Sequence, residues 1–480
     1  MGSDVQELLD GDATAVATAI RAGEVSAVEV VAAALTRLAE RNPTINAVVE
    51  ARADAALAEA AAGPTGPLAG VPFVVKDLGQ AVAGLHTTGG SRLCADLPAA
   101  AEDSPLVARY RAAGLIILGM TNTPEFGKNG STEPRWRGPT RNPHGLDHSA
   151  GGSSGGTAAA VAAGIVPAGH GNDGGGSIRI PSSACGLVGL KPSRARTPRH
   201  PRHFAFTGSM AVDHALTRSV RDSALLLDIG AGPLPGDAYV SPSPTRPYVE
   251  EVGADPGPLR IALSTVRPDG TPDDDVCAGA ARDLADLLAS LGHEVVEATP
   301  PYPVDDIQTV MQSFAGAPMT AEIDGFLSEL GRDLRDDDLE PFTRVLYDFG
   351  RDTSGVDVVR ALQASERVGV ELGSFFVDHD LLLTATLPMP PPPLGLLDTT
   401  DVEAMYTHAG AIAAHTSVWN ITGQPAVSLP TGRTPDGLPV GTQLVAALNR
   451  EDLLLRVASQ VEAAQPWVGV PVWPARASTP

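Results

Sequence analysis

Residues 142–193 read NPHGLDHSAGGSSGGTAAAVAAGIVPAGHGNDGGGSIRIPSSACGLVGLKPS, and the reading of their two glycine clusters decides the fold. GGSSGG at 151–156 runs into an alanine-rich stretch, Thr157 to Ile165, whose composition predicts a helix. The second cluster, Gly169 to Gly176, ends in Ser177 and is soon stopped by Pro181. Glycine at this density costs backbone entropy, so it makes physical sense where backbone amides must approach a ligand. Two serines, Ser153 and Ser177, thus lie 24 residues apart in turns whose exposed N–H groups can surround a negative oxygen.

Several formal patterns overlap this region. Gly169-x-Gly171-x-x-Gly174 fits the dinucleotide fingerprint, but that fingerprint needs a strand before it and a helix opening inside it. Here the glycines continue to Gly176 and Pro181 follows too soon for a core helix. Gly152-x-Ser154-x-Gly156 fits a nucleophile elbow, yet the preceding RNPHGLDHSA does not read as the strand an elbow requires. A Ser-His-Asp triad could draw its other members from anywhere later in the chain, although each of the eleven histidines reads more simply as a surface or hydrogen-bonded residue. GGSSGGT supplies no lysine for a phosphate loop.

Outward from this segment the chain alternates between helices and strands. Ser26 and Glu29 form a capping box ahead of Val28, Val31, Leu35 and Leu38 at helical spacing. A second helix is predicted over 51–62. Val71 to Val75 reads as a buried strand that delivers Lys76 to its end. A helix at 104–113 leads into a strand at 115–118. Beyond the glycine segment the pattern predicts helices at 221–229, 275–290, 405–418 and 451–463. Strands are predicted at 260–264, 293–297, 380–384, 426–429 and 440–445. MPPPPLG at 389–395 is a stiff loop. No flexible linker interrupts the pattern, so residues 1–480 are expected to form one mixed-sheet unit with a helical excursion at about 300–375.

Composition excludes several classes. Of 480 residues 43% are hydrophobic and 19% charged, which is globular. A formal net charge of -23 with no basic stripe repels polyanions and speaks against nucleic-acid binding. Cys94, Cys185 and Cys277 are widely spaced, which argues against a disulfide scaffold or structural zinc and suits a reducing cytosol. No apolar run reaches a membrane span of about 18 residues, and neither a metal motif nor a cofactor fingerprint survives inspection. The expected location is therefore cytoplasmic, and a homodimer is compatible with this composition.

Chemically, a serine needs a base, and a lysine serves only when neutral. Its ordinary pKa of about 10.4 must then fall to about 7, roughly 4 kcal/mol of bias from burial and neighbours. A plainer reading pairs Lys76 with Asp77 and leaves the glycines to make tight turns. The residues alone leave both open.

The chain also resembles the amidase signature family over nearly its whole length. GVPFVVKD at 70–77 is similar to the family's lysine segment, TNTPEFG at 121–127 to its preceding loop, and 142–156 with 171–193 to the signature itself. TRSVRDSALLLD at 217–228, ITGQPAVSLPTG at 421–432 and DGLPVGTQLV at 436–445 resemble later blocks, in the same order. The resemblance implies an α/β amidase signature fold, a central mixed twisted β-sheet covered by helices on both faces. It implies Ser177 as nucleophile, Ser153 as bridging serine held by a cis peptide bond, and Lys76 as terminal base. It further implies an oxyanion hole of Gly174, Gly175, Gly176 and Ser177, with Ser154, Asp173 and Arg179 in support. Gly174 departs from many relatives, which carry a larger residue there.

The activity so implied is hydrolysis of a small carboxamide to an acid and an amine or ammonia, without cofactor. An oligoamide or peptide amidase and the glutaminase subunit of an amidotransferase share the core, although TNTPEFG looks more like general amidases. Phe126 to Trp136, 199–208 with Phe204 and Phe206, 310–320 and 388–394 are the candidate substrate loops. Their apolar content favours an uncharged aliphatic or aromatic acyl group.

Overall fold

The computed structural model describes residues 2–199, 210–467 and 473. Its strands, in chain order, are β1 Val48–Ala51, β2 Pro72–Lys76, β3 Ile116–Thr121, β4 Arg141–Asn142, β5 Gly145–Ser149, β6 Ala168–Asp173 and β7 Val188–Lys191. They continue with β8 Val212–Thr217, β9 Arg260–Leu263, β10 Glu294–Glu297, β11 Leu381–Ala385, β12 Ala426–Arg433 and β13 Pro439–Ala446. Eleven of them form one sheet in the order β1-β3-β2-β6-β8-β7-β12-β13-β11-β9-β10, while β4 and β5 make a separate ribbon. The sheet is mixed: β3-β2-β6 is parallel on one side and β11-β9-β10 on the other, with antiparallel neighbours between them.

Period-two alternation explains why helices cover both faces. Leu381 and Leu383 of β11 enter one core with Leu444 and Ala446 of β13, against Leu284 and Leu288 of the helix Asp275–Ser290. Leu382 and Val445, one residue out of step, enter another core with Phe314, Val368, Leu372 and Trp419. Strands buried on both faces carry no polar alternation, as Leu381–Ala385 illustrates. The first core, around β2, β3 and the helices Ala27–Ile45 and Gly155–Ala162, holds Phe73, Val75, Ile117 and Ala159. The capping box of Ser26 and Glu29 is formed at the head of Ala27–Ile45.

Three helices, Val304–Leu330, Pro341–Asp352 and Gly355–Asp378, pack on one another beyond β10. Among the described residues no helix is long and apolar enough to cross a membrane. All three cysteines are buried.

Four sequence expectations change. The helix predicted over 51–62 begins later, at Ala53, because Val48–Ala51 is recruited as an edge strand antiparallel to β3. The helix predicted at 405–418 is Val402–Ile412, followed by a separate short helix, Val418–Thr422. Gly145–Ser149 is a strand after all, paired with Arg141–Asn142. Most importantly, the second glycine cluster does not begin as a loop: Ala168–Asp173 is a fully buried strand in the middle of the sheet.

Leu284→Ala removes a side chain 1% exposed between helix and sheet. It should cost about 2–5 kcal/mol, seen as a lower unfolding midpoint; an unchanged midpoint would mean that this face of the sheet is not packed as described.

Candidate active site

Lys76 stands at the end of β2, between the ends of β3 and β6. Its side chain is wholly buried. The amine nitrogen lies 2.6 Å from Ser153 Oγ and 2.7 Å from Asn172 Oδ1. Burial lowers the amine to a pKa of about 7; the carboxylates of Asp213 and Asp173 oppose that fall and Arg199 adds to it. Asp77, the alternative partner, is turned away: Thr88 donates to its carboxylate through both backbone N–H and hydroxyl. The plain Lys76–Asp77 pairing is therefore not formed.

Ser153 and Ser154 precede the helix Gly155–Ala162, and the Gly152–Ser153 peptide bond is cis. Ser153 is 1% exposed and Ser154 fully buried. The Ser154 hydroxyl donates to the Asn172 carbonyl, 3.4 Å, tying this turn to β6. That places Ser154 inside the protein rather than at the tip of an elbow. Gly127, at φ 68°, presses on the same turn, where an added Cβ would meet Ser153 Oγ at 3.0 Å.

Ser177 lies between β6 and the helix Arg179–Cys185 and is half-buried. Its hydroxyl makes no hydrogen bond to another described residue. The structure thus brings Lys76 and Ser153 into contact, and leaves the Ser177 hydroxyl uncommitted.

Asp173 organises the loop before Ser177. Its carboxylate accepts from the N–H groups of Gly176 at 2.7 Å and Ile178 at 3.2 Å. It also accepts from Arg179 Nε and Nη2, both at 2.9 Å, and from the Asn420 amide at 2.9 Å. Burial works against this charge, but the Arg179 guanidinium, Lys191 and Asn420 hold the carboxyl well below its ordinary range. Arg179, also fully buried, donates to Gln443 Oε1 at 2.8 Å and Asn420 Oδ1 at 2.7 Å.

One correction follows. Gly176 was expected among four oxyanion donors, yet its N–H points inward to Asp173. The N–H groups of Gly174, Gly175 and Ser177 have no acceptor among the described residues, and all three residues are partly exposed. Gly176 is instead required by close packing: it has φ 130°, and a Cβ there would lie 2.3 Å from Thr416 Oγ1. Thr416 in turn donates to the Gly175 carbonyl at 2.7 Å. Gly174 is different, since a Cβ would meet only Ala211 Cβ at 3.4 Å. Space for the larger residue of many relatives is present.

Sequence reasoning missed Asn172, His170, Asp213, Thr416, Asn420 and Gln443. His170, Asn172 and Asp213 belong to β6 and β8, strands the glycine and apolar patterns did not resolve, and the signal was their polarity within otherwise buried runs; Gln443 lies in the strand predicted at 440–445 and Asn420 in the short helix Val418–Thr422. Cys185 is buried, with its thiol pushed up by burial. Phe204 and Phe206 lie outside the described residues.

Comparisons with known proteins agree with this frame. The amidase family model matches residues 29–455. The chain is 40% identical over 484 residues to the 6-aminohexanoate-cyclic-dimer hydrolase of Paenarthrobacter ureafaciens, covering 95% of each chain. It is 37% identical over 465 residues to an acylamidase of Rhodococcus erythropolis, again covering 95% of each. A solved structure of 6-aminohexanoate cyclic dimer hydrolase complexed with substrate superposes with a TM-score of 0.92 at 38% identity, over 96% of this chain and 99% of that one. Fold and similarity together define an enzyme acting on carbon–nitrogen bonds. The chain belongs to the amidase signature family and is a hydrolase of carboxamides.

Gly174→Ala should be tolerated, with activity near wild type and stability raised by about 0.4–1 kcal/mol through the unfolded state. Gly176→Ala should lose most activity. Amide turnover and thermal midpoints of the two variants check this, and equal behaviour would contradict the assigned packing.

Proposed function

We propose that the protein hydrolyses small, uncharged amides through an acyl-enzyme on Ser177, with Ser153 as proton bridge and Lys76 as base. The observation that carries this reading is the fully buried Lys76 amine 2.6 Å from Ser153 Oγ. A neutral amine has a lone pair for the Ser153 proton and can still donate to Asn172.

In this mechanism Ser177 Oγ attacks the amide carbon as its proton passes to Ser153, whose own proton passes to Lys76. The developing oxyanion is met by the N–H groups of Gly174, Gly175 and Ser177, donors worth about 3 kcal/mol each in a transition state. The carbon–nitrogen bond then breaks, and the relay returns its proton to the leaving amine. Water attacks the Ser177 ester through the same relay, the ester bond breaks, and Ser177 regains its proton. The whole chain, 1–480, acts as one catalytic unit.

Apolar surroundings support an uncharged acyl group. Phe126 packs against Phe326 with ring centroids 6.2 Å apart. They share a core with Met319 and Met389, from two more of the candidate substrate loops, and with Ile180 of the signature. The proline-rich loop is bound to β5 by Ser149 N–H to the Pro392 carbonyl, 2.9 Å, and Leu394 N–H to the Asp147 carbonyl, 2.9 Å. The relatives named for a cyclic dimer of 6-aminohexanoate and for acylamides fit an aliphatic diamide or simple acylamide as substrate class. A panel of acetamide, benzamide, anilides, dipeptide amides and cyclic and linear oligoamides, scored for released amine, distinguishes these. Ammonia only from glutamine with partner subunits would favour the amidotransferase reading instead.

A fluorophosphonate should label Ser177, located by mass spectrometry, and label on another residue would overturn the assignment. Ser177→Ala and Lys76→Ala should each lower kcat by about 10⁴-fold or more, with the fold retained by circular dichroism. Since Lys76 accepts a proton only when neutral and its pKa is about 7, kcat/KM should fall tenfold per pH unit below about 7. A flat profile from pH 5 to 8 would remove Lys76 as base.

A further inference from the structure

His170 lies on β6 and Asp213 on β8, facing one another across an antiparallel pair that places Asn172 opposite Asp213. Both side chains are fully buried. His170 Nε2 is 3.0 Å from Asp213 Oδ1, and His170 Nδ1 accepts the backbone N–H of Lys76 at 3.3 Å. An N–H can only donate, so Nδ1 is bare and the neutral ring carries its hydrogen on Nε2, aimed at Asp213. The other carboxylate oxygen, Oδ2, lies 3.3 Å from Arg199 Nε.

Resting on the proposed role of Lys76, we infer that Asp213 is a positioning residue for the reaction: through its hydrogen bond with His170, which in turn accepts the Lys76 backbone N–H, it fixes the end of β2 where the amine stands. Lys76 itself belongs to β2, and the groups facing it are few. Asp213 comes from β8, Asp173 and neutral His170 from β6, and Arg199 from the loop after β7. Around Asp213 the polar neighbours are His170, Arg199, Gln80 and the Tyr110 phenol. Asp213 is the strongest of the groups resisting the fall in Lys76 basicity that burial imposes, and Arg199 acts in the opposite sense.

The sign of the effect is therefore fixed for two variants. Asp213→Asn removes a negative charge, stabilises neutral Lys76, and should move the acid limb of kcat/KM to lower pH by roughly 1 unit. A weaker base also lowers the plateau rate. Arg199→Gln removes the opposing cation and should move the limb to higher pH. Asp213→Glu, which restores the charge, should return the limb towards wild type. A purely structural role would lower activity equally at all pH values.

Full pH profiles of the intact enzyme and these variants, with thermal midpoints, make the test. If the wild-type limb near pH 7 is absent, the reading of Lys76 as base fails. If it is present but stays unmoved in folded Asp213→Asn, or in Arg199→Gln should Asp213→Asn not fold, this inference is overturned. Opposite displacements uphold it, as does a rise in Arg199→Gln where Asp213→Asn does not fold.

Discussion

A lysine amine taken wholly out of water, against one hydroxyl and one amide oxygen, sets the terms for everything around it. Charged, it would have to be compensated; neutral, it needs an acceptor for its hydrogens and a donor for its lone pair. Asn172 Oδ1 and Ser153 Oγ meet those needs within the contact distances of strong hydrogen bonds. The amine can hold this position because β2 lies inside the sheet, flanked by β3 and β6, so neither its backbone nor its neighbours can drift. The Asn172 amide donates to the Leu78 carbonyl just past Lys76, at 2.8 Å, and closes the same contact from the other side.

The neighbouring ion pair shows the opposite outcome in the same low dielectric. Asp173 is equally buried yet stays ionised, because each carboxylate oxygen has several donors and the Arg179 guanidinium fork beside it is matched by Asp173, Gln443 and Asn420. Burial alone therefore does not decide ionisation; the number of hydrogen bonds offered to the charged form does. Lys76 is offered only a neutral hydroxyl and a neutral amide at contact distance. That difference sets the two buried cations apart. The Asp173 carboxylate also keeps the Gly176 and Ile178 N–H groups turned towards it, while those of Gly174, Gly175 and Ser177 have no acceptor among the described residues.

Much of this was legible in the chain itself. The apolar run Val71–Val75 gave β2 and placed Lys76 at its end, and the serines stood out by their glycine context. Ser26 and Glu29 capped the predicted helix. What stayed hidden was β6, AGHGND, where glycines and polar side chains replace the apolar residues by which a buried strand is recognised. The same holds for VDHALT of β8, whose Asp213 and His214 point to opposite faces of the sheet. Polar residues in a central strand are exceptions to the pattern rule because they serve the site, so the rule fails where the chemistry is. Their partners are set by the register of β6 against β8, a relation across 41 residues between Asn172 and Asp213 that no local window contains.

The same division separates the residues around Lys76 from an apolar cluster beside them. The catalytic contacts rise from strands whose side chains fill the sheet cores, where a change of volume is felt across the fold. Phe126, Phe326, Met319 and Met389 belong instead to a separate cluster formed by the helices 304–352, the 388–397 loop and the segment ahead of the signature. Its members can be exchanged for others of similar volume without disturbing Lys76, Ser153 or Asp173. Met is well suited to such a cluster, being flexible enough to conform to different apolar shapes. A chain that keeps the sheet of a relative at 38% identity can thus keep the Lys76–Ser153 contact while this apolar cluster is repacked.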